Sequence, residues 1–575
     1  MSQAPEARRL TGPHLLGDWT GAALDVALEP DDARLGEWER QARRLLDAVG
    51  WRDARIAHRR FRDGANLALS APIDGLYAAT EIAEEAWRSA GCVALGQPPD
   101  PAAVERLSMA VARERNPRLQ ALAAAAAERR LTFLYDDDGS SVGSGAGCLL
   151  FPGVDLPEPS AVDWQSAFDI PVLLVTGSNG KTTTTRLLAA MAAASGHCAG
   201  LSSTEGVVVG GETVVPTDYA GPMGARLVLR DRRVTLAVLE TARGGILRRG
   251  LAVRRADAAV VTNVAEDHFG DFGVDSLADL ADAKLVTARV IPPPGPVVLN
   301  ADDPTLAARG AALGRPVTWF SLDADAPLVR NALAAGGSAC FLDRGLLVMA
   351  EGARRDTVAA VAELPMTAGG AARYNIANAL AATAAARLVR RPEGTPAIQS
   401  DTIGTALRAF RSSAADNAGR GNLLQVGGVH VLIDYAHNPH GFAAIAPLLD
   451  ALPAARRLVV LGQAGDRTDD AIRGLARAAW ALRPDRILLK EMAQYRRGRA
   501  PGEVPALLAA ELARIGVPDE RVERVETEVE AARKAFGWAL PGDLLLLLTH
   551  EDRVGVARYV DGLAARAWRP GEPAD

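Results

Sequence analysis

Short apolar runs that close on polar residues recur through the middle of this chain. The run at 172–176 reads as a buried strand, and Leu187, Leu188 and Met191 follow it at helical spacing. Further strands are expected at 234–239, 258–261 and 297–299, ending in Glu240, in Thr262-Asn263 and in Asn300-Ala301-Asp302-Asp303. Alternating apolar pieces between 317 and 349 predict a small β excursion, and 375–389 predicts an Ala-rich helix of high propensity. From about Ser412 a second alternation begins. Its strands are expected at 429–434, 457–461, 486–489 and 543–549, and its helices at 441–452, 469–481, 504–515 and 526–538. Strand–helix alternation of this kind implies a mostly parallel, doubly wound sheet. Open α/β sheets bind ligands at the C-terminal ends of their strands, where the polar residues collect here.

The first 164 residues follow a different rhythm. Strand-forming pieces lie at 19–26 and 55–61, and an Asp63-Gly64 turn precedes Leu67 to Leu69. Residues 77–90 predict an amphipathic helix with Glu81, Glu84 and Glu85 on an acidic face, and 102–130 is helical by composition. A strand at 131–135 leads into a loop at 136–141. Its three consecutive aspartates suit a solvated turn better than a metal site. The glycines at 143, 145 and 147 lack a clean strand before and helix after, so they are not read as a nucleotide loop. Prolines between 151 and 169 mark a linker. The expected fold is α/β: a small α+β domain at 1–164, a central domain at 165–411 and a C-terminal Rossmann-like domain at 412–575.

The 575 residues leave room for three or four domains. Net charge is −6 with both signs mixed and no long basic run, which argues against a nucleic acid partner. The four cysteines, Cys92, Cys148, Cys198 and Cys340, are widely spaced. They point away from a disulfide framework or zinc site and toward a reducing compartment. No apolar run approaches membrane-spanning length, so no membrane partner and a cytoplasmic location are expected.

The strongest chemical signal is Gly177-Ser178-Asn179-Gly180-Lys181-Thr182, a tight polar loop between strand and helix. Glycines let backbone approach an anion, and amides at the helix start point at it. This makes 165–411 a P-loop domain for ATP. Lys181 would reach the outer phosphates, and the Thr182 hydroxyl would sit on Mg²⁺. The strict motif has a glycine where Val175 stands, so this is the shorter GxxGK[ST] form. Glu240 and His268 follow strand ends and could supply further Mg²⁺ ligands. Taken singly, Glu240 could as well be salt-bridged and His268 a structural histidine; beside Lys181 and Thr182 the ligand reading prevails.

GSNGKTTTTR (177–186), LETARGG (239–245), TNVAEDHFG (262–270), NADDP (300–304) and GRGNLLQVGGVHVLIDYAHNP (419–439) together resemble the Mur ligase family. Within it, ARGGILRRGLAV (242–253) and YRRGRAPGEVPALL (495–508) resemble the cyanophycin synthetase branch. RLTGPHLLGDW (9–19) and DGLYAATEIAEEAW (74–87) are similar to pieces of that branch's first domain. The ATP-grasp module that follows this first domain in the branch is missing here, so the two-site route to cyanophycin is not expected of this chain alone. The resemblance implies an ATP-dependent ligase joining a carboxylate to an amine through an acyl phosphate. It implies Thr182 and Glu240 on one Mg²⁺, and Glu240 and His268 on a second. It further implies a loop from Gly177 to Thr183 around ATP, Asn300 near adenine, and Arg420, Asp434 and His437 closing over the nucleotide. Lys284 matches a lysine that can be carbamylated, though an ordinary helix-surface lysine stays open. Arg243 and Arg497 could hold substrate carboxylates. Two positions depart from the family: Arg373-Tyr374-Asn375, where Gly-x-His-Asn is usual, and Ala418, where proline is usual. Small-molecule amino acid and carboxylate or peptide partners are implied, and assembly into a homo-oligomer is left open. The alternatives are a non-catalytic nucleotide- or polymer-binding module derived from the family, and a P-loop enzyme of another type. DYAHNP and the lack of an Asn-Lys-x-Asp guanine signature oppose the last.

Overall fold

The computed structural model describes residues 5–29, 33–153, 155–267, 269–391 and 393–574; His268 lies outside them. Four antiparallel strands open the chain, in the order Arg8–Leu10, Gly21–Ala27, Gly64–Ser70 and Ile56–Phe61. Helices Arg34–Ala48 and Leu76–Ala94 cover one face around Trp38, Leu45, Leu67 and Ile82. The first of these helices was not anticipated, although Leu35, Trp38, Ala42 and Leu45 repeat at helical spacing. Glu85, expected on the acidic face of the second helix, is buried and paired with Arg88 and Arg106.

The single helix expected at 102–130 is two, Ala103–Glu114 and Pro117–Glu128. Pro117 has no N–H to continue the ladder, and Asn116 caps the new start by accepting from the Leu119 amide at 3.1 Å. The Asp-rich stretch at 136–141 is a hairpin rather than an open loop. Phe133–Asp136 pairs with Gly139–Val142, which pairs with Leu149–Pro152. Asp136 is not free in solvent, since it receives Arg230 Nη1 on both oxygens at 2.8 Å.

Among the described residues the central sheet has eleven strands. Its parallel block runs Ala199–Ser203, Leu236–Glu240, Val172–Thr176, Ala258–Val261, Val297–Asn300, Val317–Ser321 and Ser338–Asp343. Antiparallel strands extend it on both sides: Gly206–Val209 and Glu212–Val215 on one, Leu346–Glu351 and Arg354–Ala360 on the other. The β excursion expected at 317–349 is therefore the edge of this same sheet. Helices Lys181–Ala194 and Arg373–Ala386 lie on one face, where Leu188 and Met191 meet an alanine-rich stripe from Ala379 to Ala386. Alanine at those positions lets the two helices pack closely against the strands.

The C-terminal sheet has the order Asn422–Val426, Val429–Asp434, Leu544–Leu548, Arg457–Leu461, Arg486–Lys490 and Val522–Val525. Only its first pair is antiparallel. Leu544–Leu548, five leucines in a row, is buried on both faces, as a central parallel strand requires. Among the described residues no helix is long and apolar enough to cross a membrane.

Candidate functional site

The C-terminal edges of the two large sheets face one cleft of about 880 Å³. Every predicted site residue among the described ones lines it: Gly177 to Thr183, Glu240, Arg243, Lys284, Asn300, Arg420, Asp434, His437 and Arg497. His268 lies outside the described residues, and its neighbour Asp267 is on the cleft wall.

The loop after strand Val172–Thr176 is shaped by its two glycines. Gly177 (φ +151°) and Gly180 (φ +82°) leave no room for a side chain: a Cβ would lie 1.8 Å from Thr262 Oγ1 and 2.2 Å from Asn378 Oδ1. Ser178 Oγ donates to Ala265 O at 3.0 Å and accepts from the Ala265 amide. Asn263 receives the Asn179 amide at 2.8 Å and donates to the Asn179 carbonyl at 3.0 Å. The loop is thus tied to the end of the neighbouring strand through the Ser178 and Asn263 side chains. Lys181 Nζ, at the helix start, bonds the Ser178 carbonyl at 3.0 Å.

Thr182 Oγ1 donates to Glu240 Oε2 at 2.8 Å. Glu240 Oε1 is buried and has no hydrogen-bond partner among the described residues. Burial pushes this carboxyl above its ordinary range, against the pull of Lys181 and Arg420. A buried carboxylate oxygen without a donor among the described residues, beside a threonine hydroxyl and a cradle that any Cβ would fill, fits a hard divalent cation. Lys284, at the end of helix Leu277–Lys284, is fully buried. Burial first, then Lys181 nearby, drives its amine well below the usual lysine value. The reading of Lys284 as a solvent-facing helix lysine is thereby set aside.

Asn300 Nδ2 donates to the Thr262 carbonyl at 3.0 Å at the end of its strand. Arg243, at the start of helix Arg243–Arg249, reaches Asp271 at 2.8 Å. From the other domain, Asp434 ends strand Val429–Asp434 and accepts from the Ala436 amide at 2.8 Å. Burial raises its carboxyl, opposed by Arg420. Asn438 caps the next helix and exchanges bonds with Asn179 across the cleft at 3.3 Å each way. His437 Nε2 stands 3.7 Å from Asp267. Arg497, at the rim, has positive φ (+49°) and lies over the Tyr495 ring.

A second group was missed. Glu205 follows strand Ala199–Ser203 and gathers three guanidiniums. Arg420 lies at 3.2 Å, Arg553 at 3.0 Å, and Arg186 also pairs with it. Burial works against its charge, yet the three arginines hold its carboxyl below the ordinary range. Its neighbour Thr204 links Thr182 (3.2 Å) to Arg420 (3.1 Å). Arg420 also stacks 4.3 Å above the Tyr435 ring. The available signal was the Glu205-Gly206 turn before the β-branched run Val207 to Val209, in the hairpin that follows the phosphate-loop helix.

Comparison with known proteins identifies the two large sheets with known domains. The Mur ligase middle domain matches residues 175–386, and the Mur ligase glutamate ligase domain matches 419–549. Cyanophycin synthetase of Trichormus variabilis is 38% identical over 66% of this chain and 41% of its own length. That of Synechocystis sp. is 40% identical over 67% and 42%. This chain therefore spans about two fifths of the length of those relatives. UDP-N-acetylmuramoylalanine–D-glutamate ligase of Frankia casuarinae is 32% identical over 70% of this chain and 71% of its own. Among solved structures, E. coli FolC in complex with DHPP and ADP aligns over 69% of this chain and 89% of its own. The TM-score is 0.50 and the identity 20%, a likeness of fold.

Proposed function

This chain belongs to the Mur ligase family, and on that footing we propose that it is an ATP-dependent, ADP-forming ligase that joins a carboxylate to an amino-acid amine. One observation carries the reading. A single cleft gathers the phosphate loop, the orphaned Glu240 oxygen and Lys284 from one domain, and Arg420, Asp434 and His437 from the other. The name of the Frankia relative, which joins D-glutamate to UDP-N-acetylmuramoylalanine, supports an amino acid as one substrate. The cyanophycin synthetases support a peptide-like carboxylate as the other. The proposal includes domain limits near 164/165 and 411/412.

When bound, ATP with Mg²⁺ supplies the phosphoryl group that activates the carboxylate as an acyl phosphate. Thr182 and Glu240 would hold the metal, with His268 as a further ligand. The amides of Gly180, Lys181 and Thr182 are proposed to bind phosphate oxygens, those of Ser178 and Asn179 being held by Asn263, and Lys181 turns from the Ser178 carbonyl toward the same oxygens. Arg420 lies beside Thr182 through Thr204, placed to add a second cation. Asn300 lies on the base side. Arg243 and Arg497 pair with substrate carboxylate, since guanidinium matches it in two-point geometry. Lys284, its amine kept neutral by burial, is proposed to add to CO₂ and lose a proton, giving a carbamate anion that could orient the metal. Asn179 and Asn438 draw the two domains together, which excludes water from the activated carboxyl.

The test is ATP turnover to ADP and phosphate across a panel of peptides and amino acids, with hydroxylamine trapping of the activated carboxyl. Turnover that needs both a carboxylate and an amine is the expected result. Turnover that Lys181→Ala leaves intact would refute the assignment.

A further inference from the structure

We infer that Arg59 and Asn66 of the N-terminal domain are positioning residues for the substrate side of the cleft. The inference rests on the ligase reading for its catalytic consequence, and on geometry alone for its structural one.

Arg59 lies in strand Ile56–Phe61, and Asn66 in the neighbouring strand Gly64–Ser70. Their side chains are joined, Arg59 Nε donating to Asn66 Oδ1 at 3.1 Å. Both reach out of their own domain to one short segment. Arg59 Nη2 donates to the Gly273 carbonyl at 2.6 Å, and Asn66 Nδ2 to the Phe272 carbonyl at 3.1 Å. Asn66 is itself braced by Asp25 at 2.8 Å. Asp25 also takes Arg8 in a two-point pair, and the Arg8 guanidinium lies 4.9 Å above the Phe272 ring. Three side chains of one domain, two of them braced by Asp25, thus converge on two residues of another.

That segment needs holding. Phe272 has φ +54°, which a bulky residue rarely adopts, and Gly273 has φ +65°. A Cβ at Gly273 would lie 2.1 Å from the Phe61 ring, so the N-terminal domain also sets the space available to the turn. The residue before the turn, Asp271, receives Arg243 on the cleft wall. The residues after it start the helix that ends in Lys284. Ser276 caps that helix by accepting from the Asp279 amide at 3.1 Å and donates to the Asp279 carboxylate at 2.7 Å. The other oxygen of Asp279 receives Arg59 Nη1 at 2.8 Å. A single guanidinium therefore grips the turn behind Arg243 and the cap of the helix behind Lys284. Neither Arg59 nor Asn66 lines the cleft; they act through Asp271 and through the helix start.

The experiment compares wild type with Arg59→Ala and Asn66→Ala in the full chain. Amide hydrogen exchange is read at 271–284 and, as an internal control, at 181–194. Nucleotide affinity is read by calorimetry with Mg·ADP. Exchange at 271–284 is expected to accelerate at least about tenfold through local opening. Exchange at 181–194 and nucleotide affinity should stay within about twofold. Where a substrate pair has been found, kcat/KM for the carboxylate should fall at least about tenfold at constant KM for ATP, since small misplacement near reacting groups is costly. Wild-type exchange at 271–284 in folded Arg59→Ala protein would overturn the inference. Should Arg59→Ala fail to fold, Asn66→Ala, which deletes one of the two grips, is read by the same criterion. The exchange result stands without any turnover, so failure of the ligase reading would be told apart from failure of this one.

Discussion

Replacing Glu240 by glutamine should make the ligand-free protein more stable and the ligand-bound protein less so. Among the described residues the buried carboxylate has Oε1 unpartnered, and Thr182 supplies its one short bond. An unsatisfied buried polar atom is worth ~1–3 kcal/mol of lost stability, more when charged. Burial already outweighs Lys181 and Arg420 in setting its protonation. Neutral glutamine keeps an oxygen for Thr182 and removes the charge, so a gain of ~1 kcal/mol is expected, or ~2–4 °C for a domain of this size. The pH dependence carries a sign. A carboxyl raised on folding keeps its proton in the native state after the unfolded chain has lost it. Its contribution is therefore full below the unfolded pKa and lost as pH rises through the raised native value. Wild type should lose stability over that window and Glu240→Gln should not. Ligand reverses the order: at a hundredfold excess over Kd, wild type gains ~2.7 kcal/mol from Mg·ATP, and the variant should gain much less. Scanning calorimetry with and without Mg·ATP reads both effects. A variant that is less stable without ligand, or that keeps the full magnesium-dependent gain, would refute the reasoning.

Three further outcomes are expected. Gly180→Ala should abolish nucleotide binding by calorimetry and lower stability, because its Cβ meets Asn378 at 2.2 Å on a positive-φ backbone. Lys284→Ala should remove any stimulation of turnover by bicarbonate, and its ligand-free stability should rise less with pH. An amine depressed on folding binds fewer protons in the native state, so wild type gains stability as pH climbs from that depressed value toward the ordinary lysine range. Glu528→Ala should destabilise the C-terminal domain by ~3–5 kcal/mol in urea unfolding. It strands buried Lys490 and frees the amides of His550, Glu551 and Asp552.

The phosphate loop was legible in the sequence because its chemistry is local: strand, glycines, lysine and helix lie within fifteen residues. Glu240, Asn300 and Asp434 were legible because each ends an apolar run, and strand ends in parallel sheets share an edge. Glu205 was not, since a glutamate in a turn declares nothing until Arg186, Arg420 and Arg553 arrive from distant segments. The break at Pro117 was missed because alanine-rich composition masked a single residue that cannot donate. The eleven-stranded extent of the sheet was missed because alternation at 338–360 looks the same in a separate hairpin and in a sheet edge. Arg59 resembles any arginine on a strand, and only the docking of the N-terminal domain shows what it holds.

Glu205 also bears on how the two halves part. Arg420 and Arg553 belong to the C-terminal side, and Arg186 to the phosphate-loop helix. Separating the halves leaves Glu205 with Arg186 alone and sends two guanidiniums into water. The resistance to opening at this point is therefore Coulombic, and dissolved salt weakens it. If escape of product sets the pace, ionic strength acts as an accelerator of the cycle, up to the concentration at which phosphate binding itself begins to fail.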